Sequence, residues 1–375
     1  MRGGEPPVGS ARGLRVSRVS LVVVAGLATA ACSLGAQTAP APGQPRDIRR
    51  HVRRAPPPDW IQLDVALGSF VPSTVPGLAF LLTRRDETIF AAAYGDLTLD
   101  SVVAIASSTK IPSAVAIMTL ADEGRLDVDE PVGTYLKGNI VWPEDKAAIT
   151  TRMLLNHTSG VAQSTCLDNQ LTTTLQACAQ EIANLPLGFT PGTAFSYGGS
   201  SFQVAGYVAE VVSGIRWNDF FAQRVGTPLG LDRFTYMRTD NPRIAGGAQS
   251  DVGDYTRIMQ MFLDGGVWQG RRILSSESVA RMTQDQKGSL PVINSPGGTA
   301  LPGYSFGWWI SDPSLYPGSS GPELSDQGAF GCTPWIDLDL SYTAIILIQS
   351  RTGTGTEIWN AVRPLVIEQV RRLVP

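Results

Sequence analysis

Apolar and polar positions recur with two different periods along this chain, and the change of period divides it. After Pro76-Gly77, residues 78–84 and 88–94 are short apolar runs separated by the polar break Arg85-Asp86-Glu87. That pattern predicts a strand, a tight turn and a second strand. From Ser107 to about Glu123 the apolar positions take helical spacing and stop at Gly124. A short helix is predicted over residues 150–155, and longer ones over 200–212, 217–224 and 251–263, the last ended by Gly265-Gly266. Strand-like runs return at 304–310, 330–338 and 342–349, and a final helix is expected over 357–373.

Two strands near the start, three near the end and helices between imply one antiparallel sheet built from both ends of the chain. This is an α+β fold with an inserted, mainly helical part. The expected division gives residues 59–106 and 288–375 to the sheet part and 107–287 to the helical part. A ligand cleft belongs between them.

The first 31 residues depart from this pattern. Arg2, Arg12, Arg15 and Arg18 precede an apolar run over 19–31, which reads as a signal peptide, too short to cross a membrane as a helix. Cys32 follows Ala28-Thr29-Ala30-Ala31, a small-residue box similar to that before a lipidated cysteine in bacterial lipoproteins, with Thr29 where leucine is usual. Lipidation of Cys32, which would attach the protein to a membrane, and simple cleavage after an Ala-x-Ala sequence both stay open. Residues 32–58 read as a Pro- and Arg-rich linker. The expected location is therefore outside the cytoplasm: a periplasmic or cell-envelope lipoprotein, or a secreted protein.

The whole chain of 375 residues carries a formal charge of −3, and removing the leader's net +3 leaves −6. An acidic body argues against nucleic acid as a partner. The basic linker could lie against anionic lipid, but a solvated, unstructured linker is the preferred reading. With 43% hydrophobic residues the chain has ample material for a core. Cys166 and Cys178 bracket a polar segment of an exported chain, so a disulfide is expected, and Cys332 is then unpaired and buried. Two histidines, His51 and His157, without metal-ligand spacing argue against a zinc site, and no cofactor is expected.

Candidate chemistry centres on Lys110, one of four lysines among 30 basic residues, set in the apolar stretch 102–118. A desolvated ammonium can shed its proton and act as a base, which an arginine cannot do at useful pH. Ser107 precedes it by one helical turn, and serine activated by lysine is a recognised alternative to a serine–histidine pair. No Gly-x-Ser-x-Gly elbow occurs.

Several segments together resemble the serine β-lactamase and penicillin-recognising superfamily, in the branch of class C β-lactamases, D-alanyl-D-alanine carboxypeptidases and related esterases. Ser107-Ser108-Thr109-Lys110 is similar to its nucleophile tetrad, Gly124 to Val132 to the segment after the nucleophile helix, and Leu154-Leu155-Asn156-His157-Thr158-Ser159-Gly160 to its Leu-Leu-x-His-Thr-Ser-Gly box. Thr227 to Leu231 and Ala245-Gly246-Gly247 add weaker matches, in the same order. The resemblance implies that Ser107 is the nucleophile and Lys110 and Tyr197 its proton-handling partners, with Tyr197 as a phenolate base favoured by the neighbouring ammonium. It makes His157 a structural turn residue. Gly199 stands where the family's Tyr-x-Asn motif has its asparagine, and Asp326-Gln327-Gly328 replaces the Lys-Thr-Gly or His-x-Gly motif. The backbone N–H groups of Ser107 and Ala329 would form the oxyanion hole, and Arg351 could supply the missing positive charge.

The departures fall on residues that grip the substrate. Recognition of a β-lactam's amide and carboxylate is expected to weaken, while the nucleophile and oxyanion hole suffice for activated esters. The expectation is a serine hydrolase acting on small carboxylic esters through an acyl-enzyme. A β-lactamase or D-Ala-D-Ala carboxypeptidase, acting on a β-lactam or a peptidoglycan-like substrate, and a non-catalytic envelope binding protein are the alternatives.

Overall fold

The structure is a computed structural model, and it describes residues 60–296, 301–315 and 321–373. The leader, Cys32 and the linker lie outside the described residues.

Helix α1 (Ile61–Ser69) precedes the hairpin β1 (Gly77–Arg84) and β2 (Glu87–Gly95). A 3-10 turn at Ala106–Thr109 runs straight into α2 (Lys110–Asp122). The helical part continues with α3 (Leu175–Asn184), α4 (Ser200–Ser213) and α5 (Val252–Leu263). The chain then returns through β3 (Gly303–Tyr304), β4 (Trp309–Ile310), β5 (Glu323–Ser325), β6 (Thr333–Asp337) and β7 (Tyr342–Leu347) to the final helix α6 (Thr352–Arg372). These strands form one 7-stranded sheet in the order β3-β4-β5-β6-β7-β1-β2. Every pairing is antiparallel. This is the α+β sheet built from both chain ends, with β1 paired to β7 at Leu81↔Ile345.

Both faces of the sheet are covered, and the two-residue alternation of β1 shows it. Leu78, Phe80 and Leu82 join a core with Leu67, Trp335, Trp359 and Val366, so α1 and α6 cover that face. Ala79 and Leu81 join the other core, with Ile111, Val115 and Ile258 from α2 and α5. A strand buried on both sides reads as continuously apolar rather than alternating. The final helix is also tied to the sheet by a buried polar group: Tyr342 Oη donates to Glu323 Oε1 at 2.6 Å, and Arg363 donates to the other carboxylate oxygen.

Three features differ from the sequence reading. Residues 304–310 are not one strand but β3 and β4 around a turn at Gly307 (φ 105°). A Cβ there would stand 2.8 Å from Ile111 Cδ1, so the sheet edge is pressed against the start of α2. Strand β5 is too short and too polar at Glu323 for periodicity to show it. Helix α6 begins at Thr352 rather than near 357, and Gly355 in its first turn lies where a Cβ would be 2.5 Å from Gly331 O. The glycines that look like a loop in the sequence let helix and sheet touch.

Candidate active site

Ser107 sits in the 3-10 turn that opens α2, immediately after Ala106, which holds φ at 47°. A left-handed non-glycine residue is strained, and such strain clusters where a fold presents a reactive group. Lys110 follows on the first turn of α2 and is only 2% exposed. Its Nζ donates to Ser107 Oγ at 3.2 Å and to Ala245 O at 2.9 Å. It also stands 4.5 Å from the centre of the Tyr197 ring. Burial lowers the Lys110 amine to about 8; Asp326 opposes that shift and Arg243 adds to it.

Tyr197 is brought to the same point by the short strand Phe195–Ser196 and the start of α4, with its phenol facing Ser107. Burial pushes this phenol above its ordinary range, the Asp326 carboxylate adds to the rise, and the Ser107 hydrogen bond works against it. The protonated phenol is therefore the resting form, in contrast to the phenolate expected from the sequence.

His157 lies behind this pair. Its Nδ1 is 2.9 Å from Ser201 Oγ and its Nε2 is 3.1 Å from Tyr304 Oη, so both ring nitrogens are occupied. Its ring centre is 4.7 Å from that of Tyr197. Burial, with Lys110 adding, holds the imidazole well below its ordinary pKa and hence neutral.

The third motif is arranged differently from the expectation. Asp326, expected among the substrate contacts, is fully buried. Burial raises its pKa, opposed first by Lys110 and then by the Ile111 N–H, which among the described residues is the nearest thing to a hydrogen-bond partner its carboxylate has. It faces Lys110 from within the core and cannot touch a ligand in an open cleft. Gln327 turns its amide onto Ser325 Oγ at 3.0 Å. Gly328 comes so close to the turn before Ser107 that a Cβ would be 2.1 Å from Ile105 O. Its N–H bonds Cys332 O at 2.7 Å, which leaves Ala329 exposed at the tip of the turn. Among the described residues the Ala329 N–H has no acceptor. Arg351 is exposed at the N-cap of α6, next to Ser350, whose N–H bonds Phe330 O at 2.9 Å. Among the described residues it makes no ion pair.

One residue escaped sequence reasoning. The Gly198-Gly199 pair reads as a lost asparagine, but the space is filled by the carboxamide of Gln163. A Cβ at Gly198 would stand 2.0 Å from Gln163 Nε2, and Gln163 Oε1 accepts from the N–H groups of Gly199 (2.8 Å) and Ser200 (3.3 Å). Consecutive glycines at a helix start, with a carboxamide shortly after the Ser159-Gly160 turn, were the available signal. The segment carrying Gln163 is held by Ser164 N donating to Ser200 Oγ at 2.9 Å and by a disulfide between Cys166 and Cys178, whose Cα atoms are 5.4 Å apart. Cys332 is free and buried.

A polar groove of ≈ 680 Å3 between residues 170–174, 216–219 and 238–240 contains none of these groups. Among the described residues no cluster of three His, Cys, Asp or Glu could hold a metal ion.

The family model described as Beta-lactamase matches residues 72–365. Penicillin-binding protein 4 of Amycolatopsis lactamdurans is 31% identical over 258 residues, 59% of this chain and 66% of that protein. The acyltransferase calJ of Penicillium decumbens is 29% identical over 177 residues, 40% of this chain and 42% of its own length. The chain thus spans just under two thirds of the first relative and less than half of the second. A putative β-lactamase from Bacteroides dorei, known as a crystal structure, superposes with a TM-score of 0.71 at 27% identity over 82% of this chain and 98% of that one.

Proposed function

The chain belongs to the β-lactamase family of serine hydrolases, and from that premise we propose that it cleaves small carboxylic esters through an acyl-enzyme on Ser107. The observation that carries this reading is a lysine amine almost without water, 3.2 Å from a serine hydroxyl. With its pKa brought down to about 8, a usable fraction of Lys110 is free amine near neutral pH.

In the proposed sequence Lys110, directly or through the Tyr197 phenol, takes the Ser107 proton as Oγ bonds to the ester carbonyl carbon. The N–H groups of Ser107 and Ala329 receive the developing oxyanion. Collapse breaks the bond to the alcohol oxygen, which leaves with the proton held on Lys110 or Tyr197. Water then attacks the acyl-enzyme, giving its proton to the same group, and Ser107 is released as the hydroxyl. Tyr197 acts here as a proton relay, since burial keeps it protonated.

Esters are preferred over β-lactams because the third-motif position holds a buried carboxylate, Asp326, where a carboxylate-bearing substrate would need a cation. The relative named as an acyltransferase supports acyl-enzyme chemistry of this kind. The second reading, a β-lactamase or D-Ala-D-Ala carboxypeptidase, rests on Arg351, exposed beside the Gly328–Gly331 turn, and on the relative named as a penicillin-binding protein. Export, with or without a lipid on Cys32, is part of the proposal, supported by the arginine-led apolar leader and the Cys166–Cys178 disulfide.

The test is hydrolysis of p-nitrophenyl acetate and butyrate beside nitrocefin, comparing wild type with Ser107→Ala. Ester turnover that disappears in Ser107→Ala, with nitrocefin slow, supports the proposal. Fast Ser107-dependent nitrocefin turnover reverses the ranking. Failure to turn over either substrate, together with failure to take up a fluorophosphonate, identifies a binding protein.

A further inference from the structure

We propose that Asp326 is a positioning residue for Lys110: its carboxylate is the counter-charge to the ammonium that forms when Lys110 takes the Ser107 proton. The proposal rests on the acyl-enzyme reading and adds a third member to the Ser107–Lys110 pair. Asp326 stands where the resemblance puts a cation, so the charge at this position is inverted rather than lost.

The carboxylate is placed by contacts around the turn that carries Ser107. Asp326 O accepts from Ser108 Oγ at 2.5 Å, and Ser108 O accepts in turn from Tyr255 Oη at 2.8 Å. Asp326 N donates to Pro334 O at 3.2 Å, which ties the residue to β6. Its side chain faces the N–H of Ile111, the residue after Lys110. The acid therefore stands at the first turn of α2, a 13-residue helix whose N-terminus favours negative charge. Water is shut out, since Asp326 is 0% exposed and Lys110 2%. A Cβ at Gly307 would be 3.1 Å from Ile111 N and 3.2 Å from Lys110 C, so the sheet edge closes over the same peptide.

An ammonium in a core without water is costly unless an anion balances it. The hydrogen bonds of Lys110 Nζ go to Ser107 Oγ and Ala245 O, both neutral, so Asp326 acts by its field and leaves the amine free to reach Ser107. Of the charged groups that act on Lys110, Asp326 is the anion and Arg243 the cation. The other titratable groups around the pair are neutral. Burial raises the phenols of Tyr197, Tyr255 and Tyr304 and the thiol of Cys332, and it holds the His157 imidazole down. In the step itself the Ser107 proton moves to Nζ while the O–H electron pair stays on Oγ, which bonds the ester carbonyl carbon. The proton then leaves on the alcohol oxygen. Asp326 neither gains nor loses a proton, the part that a buried aspartate plays behind a catalytic histidine.

The test is the pH dependence of kcat/KM for p-nitrophenyl acetate in wild type and in Asp326→Asn, which keeps the shape and removes the charge. Without its anion the ammonium is less favoured, so the amine gives up its proton at lower pH. The inflection should move down by about one pH unit or more, and the plateau should fall about 10-fold or more. A fall in rate with the inflection unmoved makes Asp326 a packing residue and overturns the proposal, as does an upward move. If wild type turns over no ester, the esterase reading fails by itself, and the inflection is read from the rate of Ser107 labelling by a fluorophosphonate. Absence of labelling overturns the proposal along with that reading. If Asp326→Asn does not fold, the measurement passes to wild type isotope-labelled at its aspartate carboxyls and followed by NMR. An aspartate resonance that shifts with the wild-type inflection supports the pairing, and the lack of one overturns it.

Discussion

In the proposed mechanism Lys110 is the residue on which the chemistry turns, and its protonation state gives the sharpest expectation. With the free amine as the proposed active form, kcat/KM should rise with pH and level off above an inflection near 8. Lys110→Arg cannot lose its proton and should cost about 10^2- to 10^4-fold in kcat while the protein stays folded. An inflection below 6, or an active arginine variant, would remove Lys110 from the base role. His157 offers a second check: buried and neutral, its imidazole should show no titration by NMR between pH 8 and 5.5. A shift centred near 6.5 would mean that the packing around Tyr197 and Tyr304 is open to water. The sequence exposed the serine and lysine because an isolated lysine in an apolar stretch is a local anomaly. It hid the state of Tyr197 and the burial of Asp326, since desolvation depends on neighbours such as Tyr304 and Ile111 that come from distant segments.

Among the elements, the final helix and the disulfide-bridged segment each depend on one internal tie. Arg363→Met leaves Glu323 buried without its cation and should cost about 3–5 kcal/mol, read as a lower urea midpoint. A loss below 1 kcal/mol would show that water reaches Glu323. The disulfide closes a short loop between positions 12 apart in the sequence. Converting both Cys166 and Cys178 to serine should cost roughly 3 kcal/mol in the chain-entropy model. Long elements such as β1, β2, α2 and α5 were legible because their period runs over many residues. The two-residue strands β3 and β4 and the glycine-rich start of α6 were not, because contact with another element, rather than local preference, sets them. The same holds for Gly198-Gly199, whose meaning lies in the Gln163 loop.

At the scale of the whole molecule, a sheet covered on both faces makes neither cover dispensable. A chain ending at Ser350 would expose Phe80, Trp335 and Ile346 together, a contiguous apolar surface that leads to aggregation. Its soluble yield should collapse, whereas full-length protein carrying only Ser107→Ala should express as wild type does. A soluble, cooperatively melting truncation would contradict the two-layer account of the core.

The pairing of β1 with β7 also sets a clock. Thr83 Oγ1 meets Thr343 Oγ1 at 2.7 Å, across a separation of 260 residues. While the ribosome is still producing the helical part, the N-terminal hairpin has an unpaired edge and no partner to zip onto. The sheet closes only after nearly the whole polypeptide has been made. Non-local closure of this kind is slow, and a chain that stays open until its last strands arrive can be threaded through a narrow channel before it locks.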